Sequence, residues 1–103
     1  MRLVATGMQR YDAGDYAGAD RAFQDAFREG LRDRADRVQA LKYSAFSLCL
    51  TGQQSRCRTQ FQNLFELDPA FELSAVEAGH PAWQRAYAQA RAAAKADRDH
   101  VRE

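Results

Sequence analysis

The sequence predicts an all-α protein made of two helical hairpins, four helices in all, followed by a final capping helix. Apolar residues recur at helical spacing on both sides of Gly14 and again on both sides of Gly52. Glycine ends a helix readily because it adopts positive φ without the steric cost of a Cβ atom. The pattern after Gly52 repeats the pattern after Gly14 with a period of 38 residues, which is typical of stacked hairpins.

The first repeat is predicted at about residues 1–30. Its first helix covers residues 2–13, and its second covers residues 15–29, with Asp15 as a cap at the start and Gly30 as a cap at the end. Apolar and small residues at helical spacing form the inner faces of both helices. They are Leu3, Val4, Gly7, Met8 and Tyr11, then Tyr16, Ala19, Phe23, Ala26 and Phe27.

The second repeat is predicted at about residues 33–69. Asp33 is the candidate cap of its first helix, which runs to residue 51, and a second helix covers residues 53–67. Asp68 and Pro69 end it, because the residue before a proline is pushed out of the helical region. The expected inner stripe of the first of these helices contains Leu31, Ala35, Val38, Leu41, Ala45, Leu48 and Cys49.

The last third of the chain is predicted as an irregular connection, 70–79, and a capping helix, 80–102, so that residues 1–103 form one domain. Ser74 and Glu77 have the spacing of a capping box, which favours one turn of helix at 74–78. Pro81 suits the first turn of the capping helix. Buried positions are expected at Phe71, Leu73, Trp83, Ala86, Tyr87 and Ala90, with the end of the helix beyond residue 92 projecting.

These motifs resemble the tetratricopeptide repeat over about residues 4–70. The matching positions are Gly7, Tyr11, Gly14, Asp15, Tyr16, Ala19, Phe23 and Ala26, then Ala45, Gly52, Cys57, Phe61, Asp68 and Pro69. The family repeat has about 34 residues, so this chain carries about four more, expected around residues 32–37. The resemblance implies a scaffold that binds other proteins.

Composition argues against several other classes of function. The 15 basic and 14 acidic residues give a net charge of +1, which does not favour nucleic acid or an anionic membrane as partner. No apolar run approaches the roughly 20 residues that span a bilayer. Neither His80 nor His100 has a Cys or acidic residue at metal-ligand spacing, and no catalytic motif is found. We therefore expect no enzymatic activity, no metal and no cofactor.

The two cysteines, Cys49 and Cys57, lie about one turn before and one turn after Gly52. Residues equally distant from the turn of a hairpin face each other, so the two Cα atoms could approach to disulfide distance. Two buried thiols are an equally open interpretation, since cysteine is a good small core residue. A metal site made from two cysteines alone is the third. A disulfide would imply an oxidising compartment.

A second resemblance covers about residues 38–90. The match is to small repeat lipoproteins encoded with bacterial type VI secretion systems, the TssQ-like group, which this part of the chain resembles. The specific part of the match is the Glu77-Ala78-Gly79-His80-Pro81 element with Trp83, within residues 65–83. The other matching positions are Ala45, Phe46, Cys49, Gly52, Cys57 and Arg58. The resemblance implies an accessory periplasmic component, tethered to the outer membrane by a lipid anchor after a signal peptide. Neither signal peptide nor lipidated cysteine stands in this sequence, so a cytoplasmic repeat adaptor is the alternative.

The expected binding surface is the groove on the side of the first helix of each hairpin. Its candidate residues are Tyr11, Asp12, Gln39, Lys42, Phe46 and Leu50. An exposed aromatic residue among polar ones is typical of a binding hot spot. The alternative is that Phe46 and Tyr11 pack under the final helix. A further hypothesis is a structural or spacer role in an envelope complex, in which the alanine-rich helix 84–102 pairs with a second copy to give a homo-oligomer.

Overall fold

The computed structural model describes residues 2–101, and the side chains of residues 2–97. Six helices follow one another: α1 (Arg2–Asp12), α2 (Tyr16–Glu29), α3 (Arg34–Leu50), α4 (Gln54–Leu67), the single turn α5 (Ala75–Ala78) and α6 (Gln84–Val101). No strand occurs in the part of the chain that the structure describes. The predicted all-α fold is therefore confirmed. Predictions for the side chains of residues 98–103, and for the end of the last helix at residue 102, lie outside the described residues.

Local signals place the helix boundaries. Gly14 and Gly52 have φ values of 82° and 80°, so both hairpin turns use the backbone region that glycine favours. The Asp15 carboxylate accepts a hydrogen bond from the Gly18 N–H at 3.0 Å and caps α2. The Asp33 carboxylate caps α3 by accepting from the Asp36 N–H at 3.2 Å. The predicted turns at Gly14 and Gly52 and the predicted caps at the start of α2 and α3 are confirmed.

The first hairpin is closed by a small residue at its crossing. Gly7 of α1 lies directly over the Phe23 ring of α2, and a Cβ atom at Gly7 would come within 2.4 Å of that ring. Phe23 is completely buried. A side chain at residue 7 would hold α1 and α2 apart, so the glycine sets the distance between them.

Helix α3 is the central element, because it packs against α1, α2 and α4. Its buried surface is therefore wider than the single stripe that its apolar residues predict. Ala35, expected in that stripe, is exposed, whereas Ser44, Phe46 and Ser47 are buried. The expected stripe is corrected in this respect: a helix with neighbours on several sides buries small polar residues as well as apolar ones.

Two buried clusters make up the core. The first lies between α1, α2 and α3 around Phe23, and the second lies between α3, α4 and α6 around Phe61. Tyr11 and Tyr43 are half-buried and contact both clusters. The two hairpins therefore share packing instead of standing apart.

A hydrogen-bonded network crosses the interface between the hairpins. The Ser44 hydroxyl donates to the Asp20 carboxylate at 2.6 Å and accepts from the Gln60 amide at 2.9 Å. Gln24 donates to the same carboxylate at 3.2 Å, and Arg56 lies 3.8 Å from it. Because Asp20 is only 8 % exposed, these partners stabilise a carboxylate that would be costly to bury alone. The network joins α2, α3 and α4.

Cys49 and Cys57 form a disulfide, with Cα atoms 5.3 Å apart. Of the three interpretations that the sequence leaves open, the structure supports the disulfide, and those of two thiols and of a metal site are corrected. The bond joins the end of α3 to the first turn of α4, because the short turn at Gly52 brings these two helix ends together.

The connection after α4 is pinned to the core. Leu73 is buried, and its N–H donates to the Tyr87 hydroxyl at 3.2 Å. The predicted capping box is present: the Glu77 N–H donates to the Ser74 hydroxyl at 3.2 Å, and the Ser74 N–H donates to the Glu77 carboxylate at 3.1 Å. Phe71 is half-buried, so its predicted burial is partial.

The last helix begins at Gln84, four residues later than the start at His80 that the sequence suggests. Residues 81–83 form a turn instead. In that turn the Ala82 N–H donates to Nδ1 of His80 at 3.0 Å, so the side chain replaces a helical backbone acceptor. The turn also directs the Trp83 ring into the core, where it is 4 % exposed.

Candidate functional site

A groove of about 650 Å³ runs along the exposed side of α3 and is the candidate binding site of this protein. We call it the α3 groove. Its lining residues come from α3 and from the segment after α4: Arg34, Ala35, Val38, Gln39, Lys42, Tyr43, Asp68 and Phe71. Residues three and four apart on a helix share a face, which places Ala35, Val38 and Lys42 on one side of α3. The floor is mainly apolar.

The charged residues of the α3 groove are paired. At one end, Arg34 lies 3.6 Å from the Asp68 carboxylate and donates to the Leu67 carbonyl oxygen at 2.9 Å. At the other, Lys42 Nζ lies 2.6 Å from Glu77 Oε2 and also lies over the Tyr43 ring, 5.3 Å from its centroid. Between these ion pairs the groove presents apolar and amide surface, which suits an uncharged ligand segment better than a charged one.

Glu77 is held in its charged form. Partial burial acts to raise the pKa of Glu77, but hydrogen bonds from Lys42 and Ser74 outweigh that effect, and the pKa is lowered from 4.5. The carboxylate therefore joins α5 to α3 at neutral pH. Val76, beside it on α5, is 88 % exposed and places an apolar side chain in the solvent.

Aromatic side chains support the groove from behind. Tyr43, which lines the groove, meets Tyr11 and Phe46 edge-on, with ring centroids 5.0 and 5.4 Å away. The Trp83 ring stacks on Phe46 at 3.8 Å on one face and on His80 at 4.0 Å on the other. Burial, reinforced by neighbouring phenols and carboxylates, raises the pKa of Tyr11 to about 12. Ring contacts therefore lead from Tyr43 in the groove through Phe46 to Trp83 in the core.

The structure brings together only some of the predicted site residues. Gln39 and Lys42 line the α3 groove. Tyr11 does not line it but packs against Tyr43, which does. Asp12 is exposed and Leu50 is half-buried, and neither is among the lining residues.

Phe46 differs most from its expected place. It is 2 % exposed and stacks on Trp83, in the turn directly before α6, which agrees for this residue with the alternative interpretation. An exposed Phe46 is corrected, since Trp83 covers its ring. A role of the other predicted residues in partner binding stays a prediction.

Sequence reasoning missed six of the eight lining residues of the α3 groove, and two of these, Ala35 and Val38, were expected in the inner stripe of α3. Arg34, Asp68 and Phe71 reach it from the two ends of the second hairpin, which lie close together only after α3 and α4 pair. Their separation in sequence gives no local signal. Tyr43 stands next to Lys42, and its helical position relative to Gln39 could have identified it.

The comparisons with known proteins add no relative. Protein-family models, curated proteins and solved structures give no match to this chain. The two resemblances above therefore depend on the quoted motifs alone. No helix in the described part of the chain combines the length and the apolar character needed to cross a membrane. Over the same residues, no three His, Cys, Asp or Glu side chains are grouped so that they could hold a metal ion.

Proposed function

We propose that this protein is a non-catalytic adaptor that binds a partner protein in the α3 groove. The observation that carries the proposal is an open, mainly apolar groove of about 650 Å³ on the central helix, lined in part by Tyr43, whose ring packs edge-on against Tyr11 and Phe46. Concave apolar surfaces with a few polar groups are the usual form of a binding site. The ligand that fits is a short peptide segment with apolar side chains.

The polar groups of the groove fix the orientation of such a segment. Gln39 offers an amide that can donate to and accept from a peptide backbone. Because Arg34 and Lys42 are already paired with Asp68 and Glu77, the ligand needs no charge of its own. Val76, next to Glu77, can add an apolar contact beyond the end of the groove.

We further propose that the protein works in the periplasm as an accessory component of a bacterial type VI secretion system, tethered to the outer membrane by a lipid anchor outside this sequence. The Cys49–Cys57 disulfide supports an oxidising compartment. The resemblance to the TssQ-like lipoproteins supports the secretion system and the anchor. A self-associating or spacer subunit of another envelope complex is the second candidate, and a cytoplasmic repeat adaptor is the third.

The test blocks the groove without disturbing the core. Ala35 lines the groove and is exposed, so Ala35→Arg fills the groove with a long side chain while the core is unchanged. Ala92→Arg, at an exposed position of α6, is the matched control. Affinity capture from a periplasmic extract, mass spectrometry and then direct titration of the purified partner measure binding. We expect Ala35→Arg to weaken it at least about tenfold and Ala92→Arg to leave it unchanged.

Equal capture by Ala35→Arg and the unsubstituted chain would overturn the groove as the binding site. Light scattering tests the second candidate with the same two variants. A stable dimer that Ala92→Arg disrupts, while Ala35→Arg leaves it intact, would favour the self-associating subunit.

A further inference from the structure

A second concave surface lies between the first turns of α4 and the start of α6. This cleft has a volume of about 390 Å³, and we call it the α4–α6 cleft. Its lining residues come from one face of each helix and from the turn before α6: Gln54, Ser55, Arg58, Pro81, Ala82, Arg85, Ala86 and Gln89. It shares no lining residue with the α3 groove.

The α4–α6 cleft is basic. Arg58 stands on one wall and Arg85 on the other, and no acidic residue is among its described lining residues. Arg58 donates a hydrogen bond to a neutral group, the Gln89 side-chain oxygen, at 3.5 Å. By contrast, Arg91, further along the same helix as Arg85, pairs with the Glu72 carboxylate at 3.2 Å. The two positive charges of the cleft thus face a concave surface that supplies no counter-charge.

The walls of the cleft are joined to each other, so its shape does not depend on a ligand. The Gln54 amide donates to the Ala82 carbonyl oxygen at 3.3 Å, which links α4 to the turn before α6. The Gln54 side-chain oxygen also lies 3.5 Å from Cys49 Sγ. The disulfide holds the start of α4 against the end of α3. The Gln54 hydrogen bond holds the same part of α4 against the turn before α6.

We propose that the α4–α6 cleft binds the carboxylate groups of an acidic peptide segment. A guanidinium group is planar and donates two parallel hydrogen bonds to a carboxylate, which makes Arg58 and Arg85 suited to this chemistry. Ser55 and Gln89 supply further donors beside them. A volume of about 390 Å³ accommodates one or two acidic side chains.

An acidic peptide fits better than a nucleic acid. A nucleic acid backbone needs a row of basic residues that neutralises several phosphates, and this cleft offers two. The chain as a whole has a net charge of only +1, so a long polyanion gains little beyond the cleft. The acidic segment can belong to any protein, and the site does not depend on the proposed α3-groove ligand.

The test uses a fluorescein-labelled oligoglutamate peptide and the oxidised full chain, with fluorescence anisotropy as readout. The salt concentration is about 20 mM, where the Debye length is about 20 Å. We expect saturable binding, which Arg58→Gln and Arg85→Gln each weaken roughly three- to tenfold. Both arginines are exposed, so neither substitution disturbs the core, and circular dichroism checks the fold.

The matched control is Arg21→Gln, which removes the same charge from an exposed position of α2. Equal weakening by Arg21→Gln would show attraction by the net charge alone and would overturn the proposal. Absence of binding by the unsubstituted chain, or equal binding of an oligoglutamine peptide, would also overturn it. Inorganic phosphate and a single-stranded oligonucleotide are tested as competitors of the labelled peptide. If either displaces it at a lower concentration than unlabelled oligoglutamate does, the cleft is assigned to phosphate groups instead.

Amide chemical shifts separate this site from the α3 groove. We expect oligoglutamate to shift the amide signals of Ser55, Arg58 and Arg85. Shifts confined to Val38 and Gln39 would overturn the cleft. A failure of this proposal leaves the α3-groove test with Ala35→Arg unaffected, because the two sites share no residue.

Discussion

Reduction of the Cys49–Cys57 disulfide should lower the free energy of unfolding by an amount that the structure defines. The two cysteines are 8 residues apart in sequence, so the cross-link closes one short loop. For a loop of this length, the restriction of the unfolded chain is worth about 2.5 kcal/mol. That is a large fraction of the roughly 5–15 kcal/mol by which domains are stable, so we expect the reduced chain to fold but with much less margin.

The assay is urea unfolding followed by far-ultraviolet circular dichroism, with and without reductant. The reduced chain keeps both sulfur atoms, so the comparison isolates the cross-link from any change of packing. A loss of about 2.5 kcal/mol corresponds to a fall in Tm of roughly 10–20 °C for a domain of this size. The double variant Cys49→Ala, Cys57→Ala is the control, because its stability should not respond to reductant.

Two outcomes would refute this reasoning. One is the same midpoint for the oxidised and reduced chains, which would mean that the cross-link does not restrict the unfolded state. The other is the titration of two free thiols in the unfolded, unreduced protein, which would mean that no bond is present. The second result would also remove the support that the disulfide lends to an oxidising compartment.

Two further predictions concern α1 and α5. Gly7→Ala should destabilise the protein by about 1–2 kcal/mol in urea unfolding, because its methyl group would meet the Phe23 ring within 2.4 Å. The control Gly79→Ala, whose methyl group would have its nearest contact at 3.6 Å, should be nearly neutral. Equal effects of the two substitutions would contradict the close crossing of α1 and α2. Glu77→Gln should cost up to about 1 kcal/mol at pH 7, because it removes the ion pair with Lys42. Since the native pKa of Glu77 lies below 4.5, this contribution to stability is present above pH 4.5 and is lost as the pH falls through the native pKa. The unfolding free energies of the variant and of the unsubstituted chain should therefore converge in acid. A difference in unfolding free energy that stays constant with pH would contradict this prediction.

The sequence predicted those parts of the fold that depend on local signals. Gly14 and Gly52 adopt positive φ in the two hairpin turns, and the carboxylates of Asp15 and Asp33 cap the helices that follow. Each of these features is decided by a residue and its neighbours within one turn, so a single sequence suffices to find it. The short turn at Gly52 also explains why the cysteine pairing could be considered from spacing alone.

The parts that could not be predicted depend on pairs of residues far apart in the chain. The sequence around Asp20 is that of a solvated acid on a helix, yet its carboxylate accepts a hydrogen bond from Ser44, 24 residues away. Ser44 in turn accepts from Gln60, a further 16 residues along the chain. Nothing near Asp20 in the sequence signals those partners. The same holds for the stack of Trp83 on Phe46, which requires the connection to fold back over α3.

That fold-back decides where the candidate site lies. α3 would present a continuous face along its length if the connection ran free, and the predicted groove included both Lys42 and Phe46 on that face. Instead, Trp83 covers Phe46, and its indole N–H donates to the Glu77 carbonyl oxygen at 2.6 Å, while the Glu77 carboxylate holds Lys42. The second half of α3 is thereby closed, and the first half remains open as the α3 groove. The connection therefore acts as a boundary of the site, because the Glu77 carboxylate of α5 holds Lys42 at the end of the open part of α3.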